Sequence, residues 1–325
     1  MGTLRRSRGR SWLRTSLAGA LAALAAAAHP ALQPAPPPPP PLLEIEWEPA
    51  RPAEGSIFRL RVAPQVVASG ESAEGSDGNR AELVRVSGEV GQLPLAFHRS
   101  GTWHESLAAI PVDAPDTVPA WVRGEFADGR SRSLSVWIPV EPVAYDHERL
   151  TVAPRFGSPL SDADRARLDR DIEMAAQVSR DALADPPLWL SGVVMPRSAR
   201  ITSRFGTGRE FNGQVTSRHM GLDLQGAVGD TVVAAARGVV ALVEPFLLAG
   251  NVVYLNHGGG LVTGYFHLSA QLVQVGDTVV AGMPIGRVGS TGRVTGPHLH
   301  WVVRFGATSV DPLSLVALLP RAGPS

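Results

Sequence analysis

The chain has 325 residues, of which 44% are hydrophobic and 18% charged, and its 30 basic and 30 acidic side chains give a formal net charge of +0. That length allows two compact domains, and the even charge balance offers no basic footprint for nucleic acid. Cysteine is absent and every basic residue is arginine, which excludes disulfides, thiolate metal sites, cysteine nucleophiles and lysine-tethered prosthetic groups.

The first 28 residues read as a signal peptide. Arg5, Arg6, Arg8, Arg10 and Arg14 form a basic stretch, an apolar run follows from Leu17 to Ala28, and small residues suit cleavage at Ala26–Ala28. The run is shorter than the roughly 20 apolar residues of a membrane span, so membrane contact is expected only if the segment stays uncleaved. Residues 29–43 form a proline-rich linker, nearly continuous proline from Pro34 to Pro41, and such a run makes a stiff polyproline spacer.

Residues 44–150 carry strand patterning. Phe58, Leu60 and Val62 alternate with Arg59 and Arg61, and Leu134, Val136 and Ile138 alternate with Ser133, Ser135 and Trp137. Turn residues at Gly70, Ser76–Asn79 and Asp128-Gly129 separate the runs, which suggests an immunoglobulin-like β-sandwich. Over residues 151–190 a linker with a helix is expected. Ser161 can cap it, Asp162 and Asp164 suit its positive end, Leu168, Ile172, Ala175, Ala176 and Leu183 form its apolar stripe, and Asp185-Pro186-Pro187 ends it.

Short glycine-separated strands return over residues 191–316, followed by a tail at 317–325. The hexapeptide Gly-Asp-Thr-Val-Val-Ala occurs at Gly229–Ala234 and again at Gly276–Ala281, each copy reading as a tight turn that feeds a strand. Such turns look like the hairpins of lipoyl and biotinyl carriers, but a carrier needs an attachment lysine. The whole therefore reads as mainly β, with a sandwich, a connecting helix and a C-terminal antiparallel sheet domain.

Five of the nine histidines fall between His219 and His300. In a straight strand His219 and Asp223 would lie roughly 13 Å apart, too far to share one ion, so a bend is required and Gly221 permits one. His298 and His300 should share a strand face with Leu299 opposite. By spacing alone both rings could bind one ion, or one could bind while the other addresses a water. Tyr265 and His267 are expected on a common face, with Phe266 on the other. A histidine-rich face with one carboxylate suits catalytic zinc.

The segments Ser203-Arg204-Phe205-Gly206, Phe211-Asn212-Gly213, His219-Met220-Gly221-Leu222-Asp223, Asn256-His257-Gly258, Tyr265-Phe266-His267-Leu268 and Gly296-Pro297-His298-Leu299-His300 together resemble the lysostaphin-type zinc metallopeptidases, also called LytM or M23 peptidases. The resemblance covers roughly 195–312. It implies one Zn2+ per chain held by His219, Asp223 and His300, with His298 as general base and His267 stabilising the tetrahedral intermediate. Tyr265 and Asn212 would line the substrate groove, and His257 is read as a structural turn residue. It further implies an exported metalloendopeptidase acting on peptidoglycan in the periplasm or cell envelope. The alternative is a non-catalytic regulator of other wall hydrolases, as found among family members with degenerate metal sites.

Overall fold

The computed structural model describes residues 13–15, 42–65, 82–151, 160–213 and 215–321. The export segment (apart from 13–15), the proline run and the turns at Gly70 and Ser76–Asn79 lie outside the described residues. The expected tail is described only as far as Arg321.

Two antiparallel sheets build the first unit. One orders the strands Leu13–Thr15, Leu43–Glu48, Ile57–Pro64, Trp103–Ala109 and His98–Ser100; the other orders Leu93–Pro94, Leu83–Val90, Thr117–Phe126 and Ser131–Pro139. The alternation in the sequence sets their inner faces. Phe58, Leu60 and Val62 are fully buried against Val122 and Ile138 of the other sheet.

The strand His147–Leu150, expected to close this unit, pairs instead in parallel with Gly208–Phe211 of the following one. Contacts between the units continue elsewhere. Ile57, Leu107 and Ala109 join the core of the second unit, and the Ile57 amide donates to Ser314 Oγ at 3.0 Å.

Helix α1 spans Asp162–Ala184, and Ser161 caps it by accepting from the Asp164 amide. Its buried face differs from the expected stripe. Ile172 is 57% exposed, whereas Asp171 is buried because its carboxylate accepts the Leu247 amide at 2.7 Å. Ala175, Val178 and Ala182 then pack on Phe246, Val252, Tyr254 and Val262. An apolar pattern misses such a face because a carboxylate serves as its docking group. A short helix α2, Pro312–Leu318, is capped by Asp311 and packs beside the strand Ile57–Pro64.

The second unit centres on a large antiparallel sheet. Its strand order is Ile201–Ser203, Leu222–Gln225, His298–Phe305, Leu261–Leu268, Gly250–Asn256, Gly238–Phe246 and Thr278–Val279. Both hexapeptide copies form the same turn. Gly229 and Gly276 each take a φ of +93°, and Asp230 and Asp277 each accept an amide three residues back, from Ala227 and Gln274.

Candidate metal centre

The strand His298–Phe305 lies between Leu222–Gln225 and Leu261–Leu268, and its register carries the site. His300 sits directly opposite Asp223 on one side and Phe266 on the other. Leu299 is fully buried beneath, so His298 and His300 share the cleft face as the alternation requires. His219 precedes the neighbouring strand and reaches the site through a bend at Gly221. A Cβ on Gly221 would stand 2.6 Å from His300 Cε1, so glycine is needed there for the close approach of the ring as well as for the bend.

Three donors converge. His219 Nε2 lies 3.0 Å from Asp223 Oδ1 and 2.9 Å from His300 Nδ1, and His300 Nδ1 lies 2.7 Å from Asp223 Oδ1. The ligand atoms of these three residues all lie within 4.8 Å of one another. His219 Nδ1 is 2.7 Å from the Arg204 carbonyl, which can only accept, so Nδ1 carries the proton and Nε2 presents a lone pair. A lone pair facing an ionised carboxylate at 3.0 Å is unfavourable unless a cation lies between them. Two imidazole nitrogens and one carboxylate oxygen, with no sulfur, fit catalytic zinc.

Arg209 completes the arrangement, and no motif in the sequence had pointed to it. From the hairpin strand Gly208–Phe211 its Nη2 donates to Asp223 Oδ2 at 2.5 Å, while Nε lies 3.4 Å from Glu148 Oε2. The guanidinium occupies one carboxylate oxygen and leaves Oδ1 for the site. The Arg209→Leu substitution is expected to weaken zinc affinity by about 10–100-fold, the usual effect of losing an outer-shell partner. Chelator competition measures it, and an unchanged affinity would remove Arg209 from the site.

Two further histidines face the same cleft. His298 Nδ1 donates to the Gly296 carbonyl at 2.8 Å, which leaves the lone pair on Nε2, 3.6 Å from Asp223 Oδ1. His267 Nδ1 donates to the Thr291 carbonyl at 2.8 Å, and its ring centroid lies 5.0 Å from that of His298. Burial, reinforced by the neighbouring His300 and His298, pushes the His267 pKa down to about 3.

The expected facing of Tyr265 requires correction. Between Asn251 and Val253 the register shifts, so that Phe266 and His267 together oppose Val252, and His267 takes a φ of +60°. This bulge turns both Phe266 and His267 toward the cleft and leaves Tyr265 on the core side. Tyr265 is fully buried. Its hydroxyl accepts the Ala235 amide at 2.8 Å and lies 3.0 Å from Thr263 Oγ1, which lies 2.7 Å from His257 Nε2. His257 donates Nδ1 to the Arg237 carbonyl, and burial drives its pKa down to about 4. Tyr265 and His257 are thus members of one buried polar network. Asn212 stands exposed at the hairpin turn with a φ of +50°, beside Phe211, which does line the cleft.

The cleft encloses about 500 Å³ and opens to solvent, with the three donors, His267 and His298 along its floor and walls. Leu150 and Glu148 of the parallel strand contribute one side.

Residues 217–312 match the family model for peptidase family M23. Two Vibrio cholerae proteins named peptidoglycan DD-endopeptidase, ShyC and ShyA, are 41% and 43% identical over 125 and 105 residues, covering 38% and 31% of this chain. Those alignments take in 28% and 24% of the two relatives, so the chain spans about a quarter of their length. The DD-carboxypeptidase/endopeptidase Mpg of Neisseria meningitidis serogroup B is 39% identical over 122 residues, 38% of this chain and 28% of its own. A crystal structure of a Pseudomonas aeruginosa protein, described as a candidate M23 peptidase, superposes with a TM-score of 0.60 at 23% identity, covering 83% of this chain and 96% of that one. That last likeness establishes a fold shared across both units. The chain carries a peptidase M23 domain.

Proposed function

We propose that the chain is a zinc metalloendopeptidase that hydrolyses peptide bonds of peptidoglycan cross-links or stem peptides. The reading rests above all on one observation, the convergence of His219, Asp223 and His300 within 4.8 Å on the floor of an open cleft. The names of the relatives supply the substrate class. The basic and apolar N-terminal stretch supports export to the periplasm or cell envelope.

In this reading the metal supplies Lewis acidity, polarising a carbonyl and making water a better nucleophile near neutral pH. His298 accepts the proton of the attacking water at Nε2, the nitrogen that its bond to Gly296 leaves free. His267 is assigned to the tetrahedral intermediate. Asp223, clamped by Arg209, stays ionised throughout. A regulator that had lost catalysis would be expected to have a degenerate ligand set, and here every member is in place.

The zinc-loaded protein is expected to cut purified peptidoglycan without any partner enzyme, releasing fragments with new peptide termini identifiable by mass spectrometry. A chelator should stop the reaction. Intact peptidoglycan after incubation would overturn the reading.

A further inference from the structure

Of three arginines lining the cleft, two are committed. Arg209 binds Asp223 and Glu148, and Arg218 binds Asp113 and the Gly206 carbonyl. Arg293 has no carboxylate partner among the described residues. Its guanidinium lies over the Phe211 ring, with Cζ 4.3 Å from the centroid, and burial followed by the nearby charge of Arg209 pushes its pKa down. A desolvated cation beside a like charge is costly unless an anion completes it.

Its position relates that charge to the reaction. Arg293 lies on the loop that joins Thr291 to Gly296, whose carbonyls orient His267 and His298, and its own amide is fixed to the Leu248 carbonyl at 2.8 Å. The guanidinium is therefore built into the segment that sets the two non-ligand histidines. Resting on the endopeptidase reading above, we infer that Arg293 binds a free α-carboxylate on the residue whose amine is released by hydrolysis.

Such a carboxylate is two bonds from the leaving nitrogen, so it belongs near His298, which in that reading takes the proton of the water and passes it to that nitrogen as the amine leaves. The planar fork of arginine matches a carboxylate in two parallel hydrogen bonds, and the contact with the Phe211 ring restrains the guanidinium. A neutral bridge, whose leaving residue continues as an amide, offers nothing to this charge. The same carboxylate chemistry occurs at a chain end and beside a cross-link.

Two stem peptides ending in D-alanyl-D-alanine, one as free acid and one as amide, test the inference together with a cross-linked dimer. The wild type should favour acid over amide by at least about 30-fold in kcat/KM, as expected for a charge-assisted pair in a shielded site. Arg293→Gln should lower that preference to about threefold by losing activity on the acid alone, and Arg293→Lys should keep part of it. Faster cutting of the dimer than of the free-acid monomer assigns the carboxylate to the cross-link, and the reverse assigns it to the chain end.

Binding is read separately in the His298→Ala background, where peptide persists, by titration calorimetry. There Arg293→Gln should weaken the acid by about 10-fold and leave the amide unchanged. Equal treatment of acid and amide by the wild type would overturn the inference. A protein that binds the acid selectively yet cuts nothing would retain the carboxylate site and sink the endopeptidase reading instead.

Discussion

The His300→Ala variant is expected to lose its zinc. His300 faces Asp223 across the strand ladder, with Nδ1 2.7 Å from Oδ1 and 2.9 Å from His219 Nε2. Without that ring one nitrogen and one carboxylate oxygen remain, and two protein ligands do not retain catalytic zinc. After dialysis the wild type should hold about one zinc per chain and the variant less than about a tenth of that, measured by elemental analysis. The fold should survive, because His300 lines a cleft while its neighbours Leu299 and Trp301 are fully buried in the core. Thermal unfolding in excess chelator, which removes the contribution of the metal, should therefore show similar midpoints for both proteins. Stoichiometric zinc in the variant would break the ligand assignment.

Much of this site was legible in the sequence for a geometric reason. His298, Leu299 and His300 obey the period of an extended chain, and Gly221 marks the one place where His219 could turn back toward Asp223. What stayed hidden depended on contacts between segments far apart in the chain. Arg209 meets Asp223 because a hairpin folds over the cleft, and its sequence neighbours carry no hint of that. The facing of Tyr265 failed for a local cause: one bulged pair at Phe266 and His267 reverses a side-chain alternation that spacing alone treats as unbroken. Helix α1 shows the same limit in another form, since its buried Asp171 looks like a solvent residue until the Leu247 amide is seen beside it. The strand His147–Leu150 reads as part of the first unit, yet its ladder partner lies some sixty residues later. Period and composition cannot report such pairings.

Spacing also left open whether His298 is a ligand or a base, and a second variant separates the two. The group of atoms within 4.8 Å contains His300 and not His298, whose Nε2 stands off at 3.6 Å from Asp223 Oδ1. That offset, with Nδ1 tied to the Gly296 carbonyl, leaves Nε2 as an acceptor at the edge of the site. His298→Ala should therefore keep about one zinc per chain while its hydrolysis of peptidoglycan falls by about 10²–10⁴-fold, the range for loss of a positioned general base. His298→Gln offers a stricter comparison, because it retains polar bulk near the same place but cannot take up a proton near neutral pH. It should be as inactive as the alanine variant while binding metal normally. Loss of zinc in either variant would make His298 a fourth ligand, whereas full activity with zinc retained would pass the base to His267. In that second case His267→Ala would carry the large loss, and the two histidines would exchange the roles assigned to them here.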